Sequence, residues 1–127
     1  LEFLMFNPFT LIIRYWMPLS VFSLFSITLL SLWPLTSLPH MPGSDKTHHF
    51  IAYGALMFPA ALAKPKHWPF IALFFIGWSG AIELLQPYVN RYAEWLDLLA
   101  NSLGILASVL LIYFFELVKK KLSLTPK

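Results

Sequence analysis

Cysteine is absent from the 127 residues, which excludes disulfides, thiolate metal sites and a cysteine nucleophile. Charge is scarce: 12% of the chain is Asp, Glu, Lys or Arg, where a soluble domain carries about 25%. Six acids and nine bases leave too little polar surface to coat a water-soluble globule. Internal repeats and low-complexity tracts are also missing. The net charge of +3 does not indicate nucleic acid, because the aromatics lie in apolar runs instead of lining a basic groove.

Apolar residues fill the space that charge leaves. They make up 58% of the chain, and the mean hydropathy is +0.68. A helix needs about 20 apolar residues to cross about 30 Å of hydrocarbon. Four such spans with short loops use nearly the whole chain and leave no soluble domain. The expected fold is all-α: a polytopic membrane protein with four transmembrane helices in an antiparallel bundle, one domain over residues 1–127.

The four runs cover about 15–33, 47–63, 68–86 and 95–117. Pro18 lies in the first turn of the first run, where proline does least harm. Ser20, Ser23 and Ser26 recur on that run and read as packing residues. The segment 38–44, with two prolines and a glycine, separates the first and second runs. Lys64-Pro-Lys-His67 is a short basic turn, and Pro87 ends the third run. Trp68 and Trp95 stand at span ends, as interfacial tryptophans do. His40 and His67 read as loop histidines at the interface.

Basic residues divide unequally between the two sides of such a bundle. Arg14, Lys64, Lys66, Lys119, Lys120, Lys121 and Lys127 share one side; Lys46 and Arg91 share the other. Seven against two places both termini in the cytoplasm by the positive-inside bias. Lys119–Lys121 then anchor the fourth span to anionic head groups, with Glu116 pairing with one of them.

Against this apolar background, Glu83, Gln86, Arg91, Glu94, Asp97 and Asn101 bunch where the third and fourth runs meet. Polar groups clustered at one depth of a bilayer usually mark a working site. Asp45, His49 and Tyr53 are spaced by four on one face of the second run. Glu83 and Gln86 share a face of the third, and Asp97, Asn101, Gly104 and Ser108 a face of the fourth. Ala100 and Gly104 form a small-xxx-small pair that lets a neighbouring helix approach. The expected result is a polar pocket at the outer interface, lined by Asp45, Lys46, His49, Tyr53, Glu83, Gln86, Arg91, Asp97 and Asn101.

Three chemistries are compatible with that set. One is an interhelical hydrogen-bond network that fixes register. Another is recognition of a polar head group, a lipid-linked envelope precursor or a lipoglycopeptide, with Arg91 attracting an anionic group. The third is enzymatic, with His49 and Glu83 or Asp97 as acid and base, or with a metal. No recognised catalytic motif is present: H-E-x-x-H, G-x-S-x-G and the phosphate-binding loop are all missing. His48 and His49 are adjacent and diverge by about 100° on a helix, so they do not form a paired metal site. No cofactor is expected. An assembly subunit that recruits other envelope proteins also fits so small a chain, and the residues do not set an oligomeric state.

At these residues the chain resembles the VanZ-like family of small bacterial membrane proteins. The matching pieces are Asp45-Lys46-x-x-His49-Phe50-x-x-Tyr53, Glu83-x-x-Gln86, Arg91, and Asp97-Leu-Leu-Ala-Asn101-Ser-Leu-Gly104. They cover about 45–108, and the last is the most specific. The resemblance implies a multi-pass protein of the bacterial inner membrane. It also implies a connection to tolerance of the glycopeptide teicoplanin, and it implies no reaction.

Overall fold

A computed structural model describes residues 7–34 and 45–124, and all regular structure among them is helical. The expected break at 38–44, His40 and Lys127 fall outside the described residues. The helices are α1 (Pro8–Arg14), α2 (Trp16–Ser31), α3 (Asp45–Ala63), α4 (Trp68–Leu85) and α5 (Trp95–Leu124). A 3-10 turn over Gln86–Val89 follows α4.

Local chemistry sets most of the boundaries. The Asn7 side chain accepts from the Phe9 N–H at 2.9 Å and caps α1, with Pro8 in the first turn. The first apolar run is not one straight helix: α1 and α2 meet at 78° around Tyr15. Pro18 explains the bend. In a continuous helix it could not bond the Arg14 carbonyl and its ring would clash there. Breaking at Tyr15 moves Pro18 into the first turn of α2. Lys64, in the left-handed region at φ 49°, ends α3 ahead of Pro65. Asn90, at φ 59°, closes the 3-10 turn in the same way.

α3 is the central helix and packs against α1, α2, α4 and, most extensively, α5. Its buried residues Tyr53, Leu56, Met57, Ala60 and Ala61 join Phe75, Ile105 and Ile112 in the apolar core. α3 and α5 run in the same direction: Lys46 meets Asp97, His49 meets Asn101, and Lys64 meets Glu116. Glu116 thus pairs with the turn after α3, not with the lysines beside it as expected. α4 runs the opposite way, with Ser79 against Asn101 and Glu83 against residue 94.

The close α3–α5 approach depends on missing side chains. A Cβ on Gly104 would collide with the Phe50 carbonyl oxygen and lie 3.0 Å from the Gly54 nitrogen. Ser108 Oγ donates to the Gly54 carbonyl beside this crossing. Ser20 is buried on α2, while Ser23 and Ser26 are half-buried.

Large apolar side chains cover much of the outer surface. Phe22, Phe25, Phe70, Leu73, Phe114 and Phe115 are all more than half exposed, while Glu83, Gln86, Asp97 and Asn101 are buried. A soluble protein inverts that pattern; a lipid-embedded one does not. Among the described residues two helical segments, Trp68–Val89 and Trp95–Leu124, are long and apolar enough to cross a membrane, and the bent α1–α2 pair adds a third if it is one span. α3 falls short because its first turn is Asp45-Lys46-Thr47-His48-His49, the residues that build the site described next.

Candidate functional site

The polar groups converge at one end of the helices, where the starts of α3 and α5 meet the end of α4. Lys46 Nζ lies 2.5 Å from both Glu94 Oε2 and Asp97 Oδ1, and 4.0 Å from Asp45 Oδ2. The Asp97 side chain is 4% exposed, whereas those of Asp45 and Glu94 are 65% and 52% exposed. The site therefore has a buried floor and an open rim. Hydrogen bonds to Asp97 and then Glu94 raise the affinity of Lys46 for its proton well above the ordinary lysine value.

A second chain of hydrogen bonds runs inward. His49 Nδ1 meets Asn101 Oδ1 at 2.9 Å, and Asn101 Nδ2 donates to Ser79 Oγ at 2.6 Å. The Tyr53 hydroxyl meets the same serine. Because an amide oxygen only accepts, Nδ1 of His49 is the donor to Asn101. Nε2 faces Asp45 Oδ2 and Asp97 Oδ2, each 3.7 Å away. Asp45, His49 and Asp97 each offer one atom to a group spanning 4.8 Å, a geometry that can hold a metal ion.

Glu83 and Gln86 form the α4 side. Glu83 Oε2 accepts from the Glu94 backbone N–H at 3.2 Å, and Gln86 Nε2 donates to the Ser31 carbonyl at 3.2 Å. The other oxygen of each, Glu83 Oε1 and Gln86 Oε1, is buried without a partner. Glu83 lies within electrostatic reach of Asp97, His49 and Lys46.

A family model described as VanZ/LLP1 matches residues 2–116, nearly the whole chain. The chain belongs to the VanZ/LLP1 family. No curated protein and no solved structure matches it. Family membership and the apolar, span-length helices together make this a VanZ-type membrane protein.

In this VanZ/LLP1 protein, Asp45, Lys46, His49, Asp97 and Asn101 come together in direct contact, with Tyr53 joined through Ser79 and Glu83 through residue 94. Gln86 is turned toward α2. Arg91 is placed apart from the carboxylates: its Nη1 donates to the Leu30 and Trp33 carbonyls at 3.2 and 2.9 Å. It caps the C-terminal end of α2, adding a charged donor to the Leu30 carbonyl and reaching the Trp33 carbonyl just beyond the helix. Ala100, Gly104 and Ser108 are buried along α5 facing its neighbours. Two contributors stand outside the expected lining. Ser79 shares a face with Glu83 and Gln86 at helical spacing, a signal readable from the sequence. Glu94 lies in a loop, where no periodicity assigns a direction.

Proposed function

We propose that this VanZ/LLP1 protein binds the polar head group of an envelope amphiphile at the rim formed by Asp45, Lys46 and Glu94. In this reading α3 and the bent α1–α2 pair join α4 and α5 as four spans of an antiparallel bundle. Both termini face the cytoplasm of a bacterial inner membrane, and the polar end faces outward. A lipid, a lipid-linked envelope precursor or a lipoglycopeptide supplies the head group, which connects the protein to antibiotic tolerance.

The carrying observation is the pairing of a buried polar floor with a half-exposed charged rim at one end of the helices. A register device alone has no need of the open rim. Below that end, an apolar groove of about 600 Å³ runs between α1, α3 and α5, lined by Phe50, Ile51, Gly54, Phe58, Gly104 and Leu111. A charged end and an apolar groove on the same pair of helices suit an amphiphile. Three carboxylates against one lysine favour a head group rich in hydroxyls or amines, which donate hydrogen bonds to carboxylates.

Native mass spectrometry on the detergent-purified chain, exposed to an envelope lipid extract, tests this reading. Wild type should retain a defined set of amphiphiles, and Asp45→Asn with Glu94→Gln should lose it while staying folded. Identical lipid retention by wild type and the folded double variant would overturn the proposal.

A further inference from the structure

The rim and floor carry a more specific arrangement than a set of hydrogen-bonding groups. His49 Nε2 and the Oδ2 atoms of Asp45 and Asp97 crowd one small volume, yet no hydrogen bond joins them at 3.7 Å. The charged groups that do pair nearby, Lys46 with Asp97 and Glu94, close to 2.5 Å. Two carboxylate oxygens and an imidazole nitrogen face one another across a gap. Asn101 fixes the ring, because its carbonyl oxygen accepts from Nδ1–H and leaves Nε2 facing the two aspartates, where the neutral imidazole offers a lone pair.

We propose that Asp45, His49 and Asp97 bind one divalent transition-metal cation, of the Zn²⁺ or Mn²⁺ type. Metal–ligand distances of about 2.0–2.2 Å place neighbouring ligand atoms about 3.0–3.5 Å apart. The two 3.7 Å separations need only a small closure and the 4.8 Å span of the group a larger one, which Asp45, with its side chain 65% exposed, has room to supply. Asn101 is then the positioning residue that orients the histidine ligand from behind, as outer-shell partners of metal-bound histidines do. Lys46 engages Asp97 through Oδ1 at 2.5 Å and leaves Oδ2 to the triad, while its contact with Asp45 Oδ2 is the longer one, at 4.0 Å.

Two further observations point to a cation. Asp45, Glu94 and Asp97 place three carboxylates around a single lysine, so the site carries excess negative charge that a divalent ion reduces. Glu83 is 8% exposed with Oε1 lacking any partner, and it lies within electrostatic reach of His49 and Asp97. A buried carboxyl oxygen without a partner is costly, and positive charge within electrostatic reach lowers the cost of ionising that group. One imidazole with carboxylates selects first-row transition ions over Mg²⁺ or Ca²⁺, which prefer oxygen ligands alone. A bound cation also widens the range of head groups, since it gives phosphate oxygens a partner that the carboxylates deny them.

The test uses the full chain in lipid nanodiscs, stripped with EDTA and titrated with Zn²⁺ or Mn²⁺ by calorimetry. Retained metal is counted by mass spectrometry after gel filtration. Wild type should hold about one equivalent, with Mg²⁺ a poor competitor. Asp45→Asn and His49→Gln should each weaken binding at least tenfold, and Asn101→Ala about 10- to 100-fold. Circular dichroism checks that each variant is folded; Asp45→Asn, at an exposed position, decides the matter if His49→Gln is not. Equal binding by wild type and Asp45→Asn, or full displacement by Mg²⁺, would overturn the proposal. So would the absence of retained metal. The measurement uses no head-group ligand, so its failure leaves the head-group reading standing.

Discussion

Gly104 of α5 lies against the backbone of Phe50 in α3 so closely that a Cβ would strike the Phe50 carbonyl oxygen. The contact is backbone to backbone, so no flexible side chain can yield. Gly104→Ala should therefore force α3 and α5 apart and destabilise the protein by about 1–3 kcal/mol, even after the helix-propensity gain of alanine. Gly54→Ala provides the contrast, because its Cβ meets the Gly104 carbonyl oxygen at an acceptable 3.4 Å. That substitution should change stability by under about 1 kcal/mol. Thermal unfolding in one detergent, followed by circular dichroism, separates the two.

Lys46 neutralises a carboxylate that water scarcely reaches. Lys46→Met should cost about 1–3 kcal/mol by leaving Asp97 without its charged donor. Adding Asp97→Asn to Lys46→Met should recover part of the loss, since the uncompensated charge goes with it. A double-mutant cycle on unfolding midpoints measures the coupling. Strict additivity would contradict the pairing.

The same pair dictates an alkaline limit. The folded state raises Lys46 above its ordinary value near 10.5, with Asp97 the larger cause and Glu94 the second. A raised lysine contributes fully below its unfolded value and loses that contribution as pH climbs through the folded one. Stability from this source should be constant from about pH 7 to pH 10 and decline only above that. Lys46→Met should lack the decline. Unfolding midpoints across that range, compared between wild type and variant, provide the check.

Arg91 serves a different end of the fold. Arg91→Ala should release the Leu30 and Trp33 carbonyls and loosen the last turn of α2. Hydrogen exchange at Leu32 and Trp33, whose amides bond Thr28 and Leu30, should accelerate several-fold. Amides of α3 and α5 should exchange as in wild type.

Helical spacing made much of this architecture legible. Asp45, His49 and Tyr53 on one register, and Asp97, Asn101, Gly104 and Ser108 on another, follow from backbone geometry alone, and these sets meet in space. Glu94 and Arg91 were harder because both lie between helices, where the direction of a side chain depends on tertiary packing. Arg91 reaches carbonyls about 60 positions earlier, which no local pattern encodes. The bend at Tyr15 was foreshadowed by Pro18, but composition alone could not distinguish a harmless first-turn proline from the cause of a break. Glu116 choosing Lys64 over its own lysine run reflects the parallel course of α3 and α5, a long-range fact.

The turn at Tyr15 has a consequence for the surrounding lipid. Once α1 swings aside, the 16 residues of α2 measure only about 24 Å along their axis, short of the ordinary hydrocarbon thickness of about 30 Å. The 30-residue α5 reaches about 45 Å. If the α1–α2 pair is one span, as in the proposed bundle, lipid on that flank meets a bent and shorter apolar wall than the one α5 offers.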